Sequence, residues 1–164
     1  MNNHFIFHDL IRQNMESERF RELHWTGTFD DYMSIAARNP DVLRTSFQRV
    51  HDMIVSYGSE PSTQLNSKDG LHWKFFDDPD NDGDNAVFGL DQPINQLVSF
   101  FKSAAHNLGT EKRVLLLHGP VGSAKSTIVS LVKRGLEQYS RKPEGALYTF
   151  QWEDENGNWV DSPM

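Results

Sequence analysis

The apolar residues near the start of the chain recur at helical spacing, with charged residues between them. This pattern predicts an amphipathic helix from Phe5 to Leu23. A second helix is predicted from Phe29 to Asn39, capped by Thr28, and a third from Asp41 to Tyr57. Gly58 then stands where a left-handed C-terminal cap is expected. The first part of the chain is therefore predicted to be a helical region.

A change in composition marks the end of this region. Residues 59–70 are rich in Ser, Pro, Asn and Asp, which is typical of a linker. The next segment predicts a short strand from Leu71 to Phe76 and a helix that Asp91 caps and Gly109 ends. We therefore expect three parts, which are a helical region at 1–58, a linker at 59–70, and an incomplete second domain at 71–164.

The hydrophobic pattern changes again within this second domain. Val114 to Leu117 is an uninterrupted apolar run, as expected of a strand covered on both faces in a parallel sheet. Ser126 to Tyr139 has helical spacing, and Ala146 to Trp152 is typical of a second strand. This order predicts a βαβ unit with a parallel sheet and hence an α/β fold. The dipeptide Asn156-Gly157 predicts a two-residue β-hairpin turn near the end.

Composition narrows the function classes. Apolar residues make up 37% of the chain and charged residues 24%, and the net charge is -7. No apolar run approaches the roughly 20 residues of a membrane span, and the acidic balance argues against general nucleic-acid binding. The chain has no cysteine, and its start lacks the features of a secretory leader. We expect a cytoplasmic protein without membrane or nucleic-acid partners.

The loop between the predicted strand and helix carries the clearest chemistry. It follows the pattern G-x-x-x-x-G-K-[ST] closely, with Lys125 placed to reach terminal phosphates and the Ser126 hydroxyl placed for Mg²⁺. Backbone N-H groups and a helix N-terminus attract the same anion. The sequence thus predicts an ATP site with Mg²⁺, formed by Gly119, Pro120, Val121, Gly122, Ser123, Ala124, Lys125, Ser126 and Thr127.

One position departs from that pattern, because Ala124 stands where the glycine before the lysine is usual. A positive φ there would cost a residue with a Cβ roughly 1 to 2 kcal/mol. A helical φ would make alanine harmless. The sequence leaves both alternatives open.

The loop resembles those of AAA+ ATPases, and a longer match resembles the N-terminal AAA domain of PrkA-type bacterial serine protein kinases. The segments that carry the match are FDDYMSIAARNPDVLRTSFQRVHDMI, FFDD, AVFGLDQPINQLVSFFKSAA, TEKRVLLLHGPVGSAKST and the final SPM. Ser162 departs from the cysteine common in the family. The resemblance implies an ATP-binding module, truncated here, of a serine/threonine protein kinase whose kinase-like region follows it.

The same resemblance implies a role for Val87, Phe88 and Gly89. In AAA+ modules the segment before the first helix commonly lies against adenine, which makes Phe88 and Gly89 candidate nucleotide-binding residues. The residues alone support a second interpretation, because an apolar tripeptide can simply belong to the core.

Two acidic segments resemble other sites less well. Asp78, Asp80 and Asp82 with Gly83 match the first half of a calcium loop, but Gly89 stands at its twelfth position instead of the usual Glu. A solvated acidic turn is the preferred interpretation. Residues 152–155 resemble the acidic end of a Walker B strand, but Gln151 interrupts the apolar run and a hairpin follows.

Three hypotheses remain from the sequence. The first is ATP binding by the AAA module of a PrkA-like serine protein kinase, with an unknown protein substrate. The second is a noncatalytic, nucleotide-gated assembly or remodelling module that forms a homo-oligomer or acts on a partner. The third is a helical interaction domain with a vestigial loop. Phosphoryl transfer needs groups that the sequence does not identify, so no catalytic residue is assigned and this piece is expected to be inactive alone.

Overall fold

The computed structural model describes residues 25–62 and 70–162, and the predicted helix from Phe5 to Leu23 lies outside them. Their helices and strands are α1 (Phe29–Arg38), α2 (Ser46–Ser56), β1 (Ser59–Pro61), β2 (Leu71–Trp73), α3 (Asp91–Ala105), α4 (Lys125–Ser140), β3 (Gln151–Glu153) and β4 (Trp159–Asp161). Short 3-10 helices connect them at Pro40–Leu43, Lys74–Asp77, Pro79–Asn81, Thr110–Lys112 and Pro143–Gly145.

The chain packs as two units. Of the described residues, 25–42 and 146–162 form one unit, and 43–62 and 70–145 form the other. The predicted boundary at residues 59–70 does not coincide with this division, because α2 packs against α3 and α4 within the second unit. The three-part domain organisation stays a prediction. None of the helices in the described ranges is long and apolar enough to cross a bilayer.

Capping boxes determine where the first two helices begin. Thr28 Oγ1 accepts a hydrogen bond from the Asp31 backbone at 3.2 Å, and the Thr28 backbone donates to the Asp31 carboxylate at 2.9 Å. This confirms the predicted start of α1. A second box, between Thr45 and Gln48, starts α2 at Ser46. The predicted start at Asp41 was therefore wrong, since the Thr45 box ends the preceding 3-10 turn and begins a separate helix.

The core of the second unit forms where α2, α3 and α4 meet the turn after β2. Its fully buried side chains are Met53, Ile54 and Phe76. The predicted strand from Leu71 to Phe76 ends early, at Trp73, where a 3-10 turn begins. Neighbouring side chains of a strand point to opposite faces, whereas this turn buries Phe75 and Phe76 in one core.

The turns around α3 also differ from the prediction. Leu90 is the N-cap, and Asp91 is the first helical residue. The helix ends at Ala105, and Gly109 follows with a φ of +87° in the next turn. Leu108, within the predicted helix, is 73% exposed because the helix has already ended.

The predicted parallel sheet is not formed among the described residues. Their two sheets are antiparallel pairs, β1 with β2 and β3 with β4. Val114 to Leu117 lies in neither, and Val114 is 94% exposed. The second predicted strand contributes only β3, at its end. A strand covered on both faces needs neighbouring strands to pair its backbone, and the described residues place none beside this run.

In the other unit the described residues comprise α1, an aromatic cluster and a hairpin. The Tyr148 ring lies 5.6 Å from Trp25 and 5.4 Å from Tyr32, measured between ring centroids. The hairpin joins β3 to β4 as predicted, but its turn differs. Only Gly157 has a positive φ, and its N-H donates to the Asp154 carbonyl. This is a type I turn followed by a left-handed residue, not the predicted two-residue turn.

Gly135 allows α4 to approach the core closely. A Cβ at this position would lie 2.5 Å from Phe75 Cε2 and 2.8 Å from Met53 Sδ. Real Cβ atoms do not tolerate such contacts, so glycine is required although it is a poor helix former.

We expect Gly135→Ala to destabilise the protein by up to about 2 kcal/mol. Overpacking of this core costs about 1 to 3 kcal/mol, and the better helix propensity of alanine recovers about 1 kcal/mol. Urea unfolding measures the difference. Ser130→Ala, at an exposed site of the same helix, is the matched control and should leave stability unchanged or slightly higher. Equal stabilisation by both changes would show that the close packing at Gly135 does not exist.

Candidate functional site

The loop that precedes α4 contains two residues with left-handed backbone conformations. Gly122 and Ala124 have φ values of +81° and +54°, and α4 begins at Lys125. No side chain caps this helix N-terminus, so the amides of its first turn keep their capacity to bind a ligand. Ala124 adopts the left-handed conformation, which settles the alternative that the sequence left open.

The Lys125 ammonium is folded against the loop. Its Nζ donates to the Gly119 carbonyl at 2.9 Å, to the Pro120 carbonyl at 2.5 Å and to Ser123 Oγ at 3.0 Å. Ser123 Oγ in turn donates to the Pro120 carbonyl at 2.8 Å. These contacts place a positive charge within a small ring of oxygen atoms beside the positive end of a helix.

Gly119 makes this closed arrangement possible. A Cβ on Gly119 would lie 2.9 Å from Ser123 Oγ, closer than real Cβ contacts come. The absence of a side chain at Gly119 therefore lets Ser123 and Lys125 fold against the loop. Val121 is fully exposed at the outer side, Ser126 is exposed, and Thr127 is half-buried.

The segment expected to contact adenine is divided between core and surface. Val87 is only 3% exposed, and its backbone N-H donates to the Phe76 carbonyl at 2.9 Å. Phe88 is 80% exposed, and Gly89 has a φ of +74°. The core interpretation therefore holds for Val87. A role of Phe88 and Gly89 at adenine stays a prediction.

An ionic brace that the sequence did not reveal joins β2 to the first residue of α3. His72 on β2 places Nδ1 3.0 Å from Asp91 Oδ1 and Nε2 2.9 Å from Asp77 Oδ1. The Ser62 hydroxyl donates to the other oxygen of Asp91. Both ring nitrogens can donate only in the charged imidazolium, so this arrangement favours protonated His72.

The titration of the brace follows from these contacts. The hydrogen bonds that His72 donates to Asp91 and Asp77 raise the pKa of His72 above its usual value. Burial opposes ionisation of Asp91, but hydrogen bonds from Ser62 and His72 outweigh it and lower the pKa of Asp91. The brace therefore holds the first residue of α3 through opposite charges.

The acidic turn is bound to α4. Asp78 is only 3% exposed, and it accepts hydrogen bonds from Arg134 of α4 and, at 3.0 Å, from the Asn85 backbone. Tyr57 donates to Asp80. The expected solvated turn was thus wrong for Asp78, because Arg134, 56 residues away in sequence, neutralises it. Across the described residues, no group of three or more His, Asp or Glu could hold a metal ion.

The acidic residues after β3 belong to the hairpin turn. Asp154 accepts hydrogen bonds from the backbone N-H groups of Asn158 and Asn156, each at 2.8 Å. These bonds lower the pKa of Asp154. The carboxylate therefore serves to close the turn.

Comparison with known proteins identifies the family. The model of the PrkA AAA domain matches residues 27–164. The chain therefore belongs to the PrkA AAA domain family, as the sequence resemblance predicted. No solved structure matches it.

Three relatives illustrate this membership. The chain is 37% identical over 139 residues to "ATP-dependent protease PrkA" of Bacillus subtilis, covering 82% of this chain and 20% of that protein. It is 32% identical over 107 residues to "Uncharacterized protein in gldA 5'region" of Geobacillus stearothermophilus, covering 63% of this chain and 98% of that protein. It is 41% identical over 46 residues to "Serine/threonine kinase YeaG" of Escherichia coli K12, covering 28% of this chain and 7% of that protein. The chain thus spans about a fifth of the Bacillus relative.

We expect Ala124→Gly to stabilise the protein by about 0.5 to 1 kcal/mol. Relief of the left-handed alanine gains about 1 to 2 kcal/mol, and the greater freedom of glycine in the unfolded chain removes about half of this gain. Urea unfolding provides the measurement. Ala37→Gly, at an exposed helical position of α1, should destabilise by about 1 kcal/mol. A loss of stability in both variants would contradict the left-handed conformation of Ala124.

The His72 brace predicts a pH dependence of stability. Because the folded-state pKa of His72 lies above its unfolded value, its contribution is fully present below about pH 6.5 and is lost as pH rises through the raised folded value. In urea unfolding, the free energy of unfolding of the wild type should therefore fall as the pH rises from about 6.5 through the raised folded-state pKa of His72. His72→Gln should be less stable at pH 6 and should lack this loss.

His118→Gln provides the control for the histidine titration, since His118 is exposed beside the loop. Its pH profile should follow that of the wild type. If His72→Gln keeps the wild-type profile, the doubly bonded imidazolium is not the source of the pH dependence.

Proposed function

We propose that this chain binds Mg-ATP through Gly119–Thr127, as the nucleotide-binding module of a PrkA-like protein. The observation that carries the proposal is the Lys125 ammonium, held by Gly119, Pro120 and Ser123 at the uncapped start of α4. Membership of the PrkA AAA domain family supports the same ligand.

Each group in the loop has a role in this proposal. The loop amides and the first turn of α4 would bind phosphate oxygens, and Lys125 would balance the charge of the terminal phosphates. Ser126 would donate its hydroxyl oxygen to the magnesium ion. That ion, when bound, neutralises charge on the phosphates. Phosphate oxygens would replace the loop oxygens as partners of Lys125, so the ammonium exchanges one set of hydrogen bonds for a charge-assisted set.

We also propose that Val114 to Leu117 is a strand of a parallel α/β sheet in the longer protein. The run is apolar throughout, and Val114 and Leu116 are 94% and 79% exposed in this chain. Strands beyond the described residues would cover these side chains and pair the backbone.

The cytoplasmic location and the homo-oligomer remain expectations.

The relatives' names describe different whole-protein activities, an ATP-dependent protease and a serine/threonine kinase. Nucleotide use is common to both. We therefore assign ATP binding to this chain and place any kinase activity in the longer protein, since phosphoryl transfer also needs groups that position the nucleophile and stabilise developing charge. The alternative of a noncatalytic, nucleotide-gated module uses the same loop.

Isothermal titration calorimetry tests the nucleotide site. We expect saturable Mg-ATP binding by the wild type and at least a tenfold loss of affinity in Lys125→Ala, because a charge-assisted hydrogen bond contributes about 1.5 to 3 kcal/mol. Lys133→Ala is the matched control, since Lys133 is an exposed lysine of the same helix. It should bind like the wild type.

The outcomes separate the hypotheses. A folded wild type that does not bind Mg-ATP would support a vestigial loop and overturn the proposal. Equal losses in Lys125→Ala and Lys133→Ala would indicate general charge attraction instead of a specific site. Hydrolysis by this chain alone, lost in Lys125→Ala, would contradict the assignment of all chemistry to the longer protein.

A further inference from the structure

The hairpin of β3 and β4 has two distinct faces. Trp152 pairs with Val160 across the strands, and the Phe150 ring lies 5.9 Å from Trp152, so these side chains share one apolar face. The other face carries Trp159, Glu153, Gln151 and Asp161. Glu153 pairs with Trp159, and the Gln151 side chain donates to Asp161. We call this second surface the Trp159 face.

The Trp159 face combines an exposed aromatic ring with two exposed carboxylates. Trp159 is 69% exposed. Glu153 lies directly across from it, and Asp161 follows two positions later on the same strand. Both carboxylates are exposed, whereas Asp154 is engaged in closing the turn.

The charge of this segment indicates what the surface can bind. Residues 150–161 contain Glu153, Asp154, Glu155 and Asp161 and no Lys or Arg. Phosphate backbones are repelled by such a surface, and other acidic peptides are repelled equally. A cationic side chain is attracted both by the carboxylates and by the face of the indole, which is the best cation-π acceptor among side chains.

We propose that the Trp159 face binds a basic peptide segment of a partner protein. An Arg or Lys side chain stacks on the Trp159 ring, and Glu153 and Asp161 accept hydrogen bonds from it. The exposed strand edges allow the peptide to lie extended along the hairpin. This surface is separate in sequence from the nucleotide loop, so the proposal does not rest on ATP binding.

Fluorescence anisotropy with a labelled peptide of alternating Arg and Ser tests this proposal without nucleotide. We expect saturable binding by the wild type and binding at least tenfold weaker for the same peptide with Gln in place of Arg. Trp159→Ala should weaken binding of the Arg peptide about fivefold to thirtyfold, the range of a partly desolvated cation-π contact. The double variant Glu153→Gln, Asp161→Asn should also weaken it by at least tenfold.

Two control variants distinguish a defined surface from general attraction. Glu155→Gln removes one charge from the turn, outside the paired strands, and should change the affinity less than twofold. Trp152→Ala removes the same kind of side chain from the opposite face and should leave the affinity unchanged. Thermal unfolding checks that each variant is folded, and the double carboxylate variant keeps the test valid if Trp159→Ala unfolds.

Several results would overturn the proposal. Equal binding of the Gln peptide would show that no cationic side chain is recognised. A loss of affinity in Glu155→Gln as large as that in the double variant would show that the peptide binds by general charge attraction. Tighter binding of a single-stranded oligonucleotide would indicate that the Trp159 ring stacks on nucleic-acid bases instead. Wild-type dimers in sedimentation velocity that Trp159→Ala dissociates would identify a second copy of the chain as the occupant.

Discussion

The close approach of α4 to the Phe75 ring holds the second unit together and determines where its functional loop lies. Gly135 permits this contact, because any larger residue would overlap Phe75 and Met53. Phe75 and Phe76 enter the core side by side from one 3-10 turn. Since α4 contacts α2 and contributes Ile128, Leu131 and Tyr139 to the same core, its N-terminus and the attached loop have a defined support.

Electrostatic contacts hold α4 at its middle and near its C-terminus. Arg134 binds the buried Asp78 of the acidic turn. Near the C-terminus, the buried Arg49 donates to Ser140 Oγ at 3.0 Å and to the Gly145 carbonyl at 2.6 Å. A cation there complements the negative end of the helix, and Lys125 adds positive charge where a phosphate is expected at the other end. The positive end of the helix therefore lies at the loop that we propose to bind phosphate.

The structure also explains why a loop with Ala124 is tolerated. The conformation that disfavours alanine is local, whereas the contacts that impose it extend through Lys125, Ser123 and the packed helix. Strain of about 1 to 2 kcal/mol persists when the surroundings over-determine a conformation. Such strain is common at ligand-binding turns, which agrees with the role proposed for this loop.

Short-range patterns were reliable guides to this protein. Neighbouring residues or contiguous motifs were sufficient to predict α1 with its Thr28 cap, the existence of α3 and α4, the hairpin and the family. The Thr45 and Gln48 pair is an equally local signal for the start of α2, although helical periodicity alone had placed that start at Asp41. Long-range packing, by contrast, set the 3-10 turn that buries Phe75 and Phe76, the φ of Ala124, and the partners of His72 and Asp78. Asp91 lies 19 residues from His72, and Arg134 lies 56 from Asp78. No local pattern encodes such pairs, since they exist only when packed helices bring distant side chains together. Val114 to Leu117 is a local pattern that is not sufficient, because an apolar run becomes a strand only when other strands lie beside it.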